Sequence, residues 1–184
     1  MGGQSLNLAD KYQNPVILLM DKQSSEFHGT ILDETPCEVD RGKITDEPTN
    51  DYKRYELTDD HISPRVRVGT KNGDFIATSY EHDEYGATTE ESSMRMAMNE
   101  KRFKKLDNFF EKEGISGYEI INPTAKKMIL TLSFTAYNAK EFIKNNPEFG
   151  LIIIKFLKPL DERLVADISG VEEIIFLESN YSGQ

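Results

Sequence analysis

The chain has 184 residues, one cysteine and a formal net charge of −10 at pH 7, which suits one domain, or one domain and part of a second, and argues against nucleic acid or an anionic membrane as partner. No apolar run approaches the roughly 18 residues of a membrane span. The start, MGGQSLNLADK, lacks the basic and apolar regions of a signal peptide, so a cytoplasmic protein is the default.

Ser5 to Tyr12 reads as the end of a helix through Leu6, Leu8 and Ala9, stopped at Asn14-Pro15 because proline drives the preceding residue out of the helical region. Val16-Ile17-Leu18-Leu19-Met20 is an unbroken apolar run of the kind buried on both faces of a parallel sheet, with Asp21 at its carboxyl end. Ligand crevices in open α/β sheets lie outside such ends, so Lys22 to Phe27 is either near one or an ordinary polar turn. A single strand cannot make a sheet. The run therefore joins strands later in the chain or belongs to a domain begun upstream. The second is the expectation, and residues 1–28 are assigned to the C-terminal end of that domain.

Residues 29–60 are polar, carry Pro36, Gly42 and Pro48, and read as an extended linker anchored by Tyr52, Tyr55 and Leu57. Cys37 lies within it. A lone thiol forms no intramolecular disulfide and holds no iron–sulfur cluster, and it reads as inert.

Residues 61–124 form a third segment. Arg65-Val66-Arg67-Val68 and Phe75-Ile76-Ala77-Thr78 flank Asn72-Gly73, which predicts a hairpin. The loop Glu81-His82-Asp83-Glu84-Tyr85-Gly86 follows, then a charged helix predicted from Thr88 or Thr89 to a stop at Gly114. Thr88 and Glu91 have capping-box spacing. Met96, Phe103, Leu106 and Phe110 predict one apolar stripe, read as core or subunit contact.

Residues 125–184 alternate. Strands are predicted at Met128 to Phe134, Leu151 to Leu157 and Ile174 to Leu177, with helices at Ala136 to Asn145 and Leu160 to Ile168. That order means right-handed crossovers and a small parallel sheet.

The 81–84 cluster offers ligands for a divalent metal or an acid/base pair. However, its members are consecutive, His28 and His61 are distant, and no HExxH exists; pairing with Arg65, Arg67 or Arg95 is the plainer reading. There is no GxSxG, P-loop or GxGxxG.

Taken together, several segments resemble the α subunit of 2-oxoacid:ferredoxin oxidoreductases of the 2-oxoglutarate type, in its C-terminal portion. They are Asn7 to Ile17 with Asp21, Arg41-Gly42-Lys43-Ile44, Tyr52-Lys53-Arg54-Tyr55, Ile62-Ser63-Pro64-Arg65, Gly69, Glu81 to Gly86, Lys101-Arg102 with Lys105-Leu106, and Glu178 to Gln184. The resemblance implies the end of a pyrimidine-binding-type α/β domain, a long linker, and an α/β domain like the C-terminal domain of transketolases. It implies oxidative decarboxylation of a 2-oxoacid to acyl-CoA with thiamine diphosphate, electrons passing through an iron–sulfur cluster to ferredoxin. The β subunit carries the cluster and the diphosphate end of the cofactor, so none of these groups is expected on this chain alone.

The family's N-terminal Tyr-Pro-Ile-Thr-Pro-type motif and its cofactor-activating glutamate have no counterpart here. Ser133-Phe134-Thr135 stands where the family usually has Gly-Ser. The expectation is a partial α subunit, inactive alone, that meets the β subunit. A homodimer is a further assembly to test. Arg65, Glu81, His82 and Asp83 are its candidate substrate, CoA or subunit-contact residues. The alternatives are a non-catalytic assembly module on the same scaffold, and a metal-dependent hydrolase built on the acidic loop.

Overall fold

The computed structural model describes residues 2–30 and 37–180; part of the linker and the last four residues of the terminal motif, 181–184, lie outside the described residues. In chain order the elements are α1 (Gly2–Tyr12), α2 (Lys22–Glu26), α3 (Ser92–Lys104), α4 (Phe109–Glu113), β1 (Tyr118–Ile121), β2 (Lys127–Leu132), α5 (Thr135–Asn145), β3 (Phe149–Ile154), α6 (Arg163–Asp167) and β4 (Glu173–Leu177). They divide into two units, residues 2–18 with 37–107, and residues 19–30 with 108–180.

The sheet lies in the second unit, in the order β1-β3-β2-β4. It is mixed, which corrects the all-parallel expectation. β2 pairs parallel with both β3 and β4, whereas β1 runs antiparallel along the outer side of β3. Along β3 the side chains alternate between faces. Leu151 and Ile153 pack with Ile129, Ala136 and Ala139 beneath α5; Ile152 packs with Met128, Tyr118 and Leu164 beneath α6. The two helices thus cover opposite faces, as crossovers of one hand require when successive connections run in opposite directions across the sheet. Buried Asp161 fixes the start of α6. It accepts from Gly117 N at 2.9 Å and from Arg163 Nε at 2.8 Å and Nη2 at 2.7 Å.

Three predicted elements change. Val16–Met20 is no strand: it has no ladder partner among the described residues, and Ile17 is 80% exposed. A run apolar on both faces needs sheet neighbours, and none reach it. The hairpin around Asn72-Gly73 reduces to its turn, in which Gly73 N donates to Thr70 O at 3.1 Å. Its first flank is engaged elsewhere: Arg65 N donates to Lys43 O at 2.9 Å, Thr45 N donates to Arg65 O at 2.8 Å, and Arg65 bridges Ile44 in parallel.

The single long helix is two, α3 and α4, parted at Asn108 with a left-handed φ of 55°; Gly114 ends the second with φ 63°. The Thr88 capping box does not form, since the N-cap of α3 is Glu91 without a side-chain cap bond. The predicted stripe splits at the break: Met96 and Phe103 are 73% and 78% exposed, whereas Leu106 is half-buried and Phe110 is buried. Along α3 itself, half-buried Met94 and buried Met98 and Lys101, with Lys105 at its end, form the inward face.

Candidate functional site

Among the described residues the first unit has no sheet, and its loops converge on cations from α3. Lys101, 9% exposed, donates from Nζ to Tyr55 O and Glu56 O at 2.7 Å each and to buried Ser63 Oγ. Its three protons thus meet three acceptors, which a buried ammonium requires. Ser63 Oγ in turn donates to Glu56 O at 2.9 Å. One turn on, Lys105 Nζ donates to Gln13 O at 2.9 Å. Gln13 also accepts from Arg54 Nη1 at 2.9 Å and donates to Ser63 O at 2.6 Å. Burial, with repulsion from Arg54 and Lys105, pulls the Lys101 ammonium down to about 8.

The 81–86 loop is fastened beside this network. Arg102 grips Glu81 with both guanidinium nitrogens, Nη1 to Oε1 at 3.1 Å and Nη2 to Oε2. That fork holds the Glu81 carboxyl below the usual carboxylate range. Asp83 shapes the turn: its Oδ1 accepts from Tyr85 N at 2.9 Å and Ala87 N at 3.0 Å. The His82 ring lies 4.0 Å from that of Tyr55, and its Nδ1 is 2.9 Å from Asp83 O. Arg54 also stands over this aromatic group, its guanidinium 5.1 Å from the Tyr55 ring and 5.7 Å from that of Phe75. Glu84 accepts from Lys53 Nζ at 3.0 Å and Leu57 N at 2.9 Å. Gly86, at φ 92°, closes the turn where a Cβ would stand 1.8 Å from Ile76 O.

Arg65, the fourth candidate, works elsewhere. Its Nη1 donates to Asp10 Oδ1 at 3.2 Å and its Nη2 to Arg41 O at 2.6 Å, tying α1 to the linker. Among the described residues no hydrogen bond or ion pair joins it to the 81–84 loop, and the guanidinium that does so is Arg102 rather than Arg65, Arg67 or Arg95. No three His, Cys, Asp or Glu side chains stand close enough to hold a metal among the described residues. Cys37 is exposed, with Asn7 Nδ2 at 3.6 Å from its Sγ.

Sequence reasoning missed Lys101, Gln13 and Ser63 as a network, although the motif segments contained all three. The available signal was the spacing of Met94, Met98, Lys101 and Lys105, which places two lysines on one helical face with two methionines. In the second unit, Asp21 belongs to the motif segments and is expected at the end of a strand that does not form. Its carboxylate meets the β2–α5 turn, accepting from Ser133 Oγ and from Phe134 N at 3.2 Å.

The motif segments thus define a scaffold of cation-tied loops joined in sequence to an α/β layer. No protein-family model matches the chain. Its relatives are α subunits of 2-oxoacid:ferredoxin oxidoreductases. It is 36% identical to that of Saccharolobus solfataricus over 197 aligned positions, covering 100% of this chain and 30% of the relative. It is 32% identical to subunit α of enzyme 2 of Aeropyrum pernix over 192 positions, covering 98% and 30%. Among solved structures, the 2-oxoglutarate:ferredoxin oxidoreductase of Magnetococcus marinus, with 2-oxoglutarate, coenzyme A and succinyl-CoA bound, superposes with a TM-score of 0.78 at 28% identity; the match covers 97% of this chain and 32% of that one. The chain is therefore homologous to one stretch of the α subunit of these oxidoreductases, a stretch amounting to about 30% of its relatives' length. No helix among the described residues is long and apolar enough to cross a membrane.

Proposed function

We propose that the chain serves as part of the α subunit of a cytoplasmic, thiamine-diphosphate-dependent 2-oxoacid:ferredoxin oxidoreductase. That enzyme oxidatively decarboxylates a 2-oxoacid such as 2-oxoglutarate to its acyl-CoA and passes the electrons to ferredoxin. The observation that carries this reading is the agreement of sequence and structure along nearly the whole chain. In it, residues 1–28 end a pyrimidine-binding-type domain, residues 29–60 are its linker, and residues 125–184 are a transketolase-like C-terminal domain. Val16–Met20 then takes its sheet neighbours from outside this chain.

The cofactors are assigned to other parts of the enzyme. One exposed cysteine does not fit a cluster that takes about four thiolates. Arg65, Glu81 and Asp83 are spent on internal ties. Their role is to hold the scaffold in the shape that meets the β subunit. The test is reconstitution of the chain with a complete α subunit's remaining segments, the β subunit, thiamine diphosphate, CoA and 2-oxoglutarate. Viologen or ferredoxin reduction by the full set, and none by this chain alone, is the expected result. A complex that assembles yet stays redox-silent with every 2-oxoacid offered would overturn the reading and leave a non-catalytic assembly module, the alternative favoured by how fully the candidate residues are tied.

A further inference from the structure

Among the described residues, the hydrogen bonds from residues 19–30 to the sheet of the second unit all come from one side chain, that of Asp21. Residues 22–30 carry no buried side chain, and Leu19, Met20 and Phe27 are exposed. Packing therefore holds this segment only weakly. The two oxygens of Asp21 divide the work. Oδ1 accepts from Ser24 N at 2.7 Å and caps α2; Oδ2 accepts from Ser24 Oγ at 3.0 Å, from Phe134 N at 3.2 Å and from Ser133 Oγ. Among the described residues, no other hydrogen bond, ion pair or ring contact leaves the segment: the Lys22–Glu26 pair and the Ser25 hydroxyl both close within it.

The contact falls at an informative place. Ser133 turns the chain out of β2 with φ 57°, and Phe134 N opens α5, which has no side-chain cap of its own. Crevices for ligands in open α/β sheets lie outside the carboxyl ends of parallel strands, where β2 ends here. The Asp21 carboxylate fills the role of a helix cap brought from over a hundred residues away in sequence. It also stays ionised: its bonds to Ser133 and Ser24 hold its carboxyl at about 2.

We propose that residues 19–30 form a strap latched onto the carboxyl end of β2 by the Asp21 carboxylate, and that unlatching it frees the Ser133 hydroxyl and the Phe134 amide at the start of α5. The strap opens and closes as a local event, because among the described residues its two bonds to the turn are the only hydrogen bonds that tie it to the rest of the chain.

Hydrogen–deuterium exchange on the 184-residue chain and on its D21A and S133A variants tests this. Both variants should speed exchange of the Phe134 amide and of residues 22–26 by about tenfold or more, the scale of a lost bond to a charged acceptor, with β3 unchanged. Tryptic cleavage at Lys22 should accelerate alongside. S133A keeps the Ser24 cap, so it separates unlatching from melting of α2, and it decides the matter if D21A fails to fold. Exchange at Phe134 and the strap within twofold of the parent in a folded S133A would overturn the proposal, reducing Asp21 to the cap of a short helix.

Discussion

A buried ammonium destabilises a fold unless each of its protons finds an acceptor, and Lys101 finds two in the adjacent carbonyls of Tyr55 and Glu56 and a third in the Ser63 hydroxyl. Truncation to K101M would leave the Tyr55 and Glu56 carbonyls without that partner, at a cost of about 1–3 kcal/mol. The pH dependence has a definite sign. With Lys101 held at about 8 when folded against its ordinary 10.5, the unfolded chain binds its proton more tightly. Its contribution to stability therefore rises between pH 8 and 10.5. The neutral amine remains accommodated, since it still donates to both carbonyls and accepts from the Ser63 hydroxyl once that proton turns from Glu56 O. Urea midpoints measured from pH 7 to 10 should show a rise in the parent that is missing in K101M. Parallel profiles would mean that Lys101 titrates normally.

At the scale of elements, the 81–86 loop depends on one residue without a side chain. A methyl group at Gly86 would collide with the Ile76 carbonyl and impose a left-handed φ on an L residue. G86A is expected to cost about 2 kcal/mol or more and to release the Glu81–Arg102 fork. Loss of that loop's amide protection, read by exchange at Ala87 and Thr89, checks it.

The alternating second unit was legible because buried strands appear as apolar runs such as Leu151–Ile154 and amphipathic helices as a 3.6-residue period. β1 escaped notice since Tyr118–Ile121 is a four-residue edge with no distinctive alternation. The inward face of α3 was misassigned because two of its buried members are lysines, and a hydrophobic template counts lysine as solvent-facing. Within the candidate site, the acidic loop stood out by composition. Its partners did not: Arg102 lies 21 residues from Glu81, and no local rule ranks it above Arg65 or Arg95.

For the whole molecule, a net charge of −10 keeps copies apart, yet Val16–Met20 leaves five successive apolar residues exposed. Such a run is an association hazard wherever its natural covering is missing. I17K together with L19K should therefore lower concentration-dependent scattering of the isolated chain while shifting its melting temperature by no more than about 2 °C. A large drop in melting temperature would show that the run is packed within this chain after all.

The ties at Lys101 also bear on the order of events as the chain folds. They close separations of 38, 45 and 46 residues, and Lys105 reaches Gln13 across 92. Loops of that length must be closed before any compensating bond forms, so such assembly is slow. The β2–α5–β3 layer joins its strands through a single intervening helix and gains apolar burial at once. Pulse-labelling during refolding should protect Leu151 and Ile153 ahead of Tyr55 and Thr89. The α/β layer would then be native-like while the linker remained an open coil and Lys101 of α3 and Lys105 at its end were still hydrated.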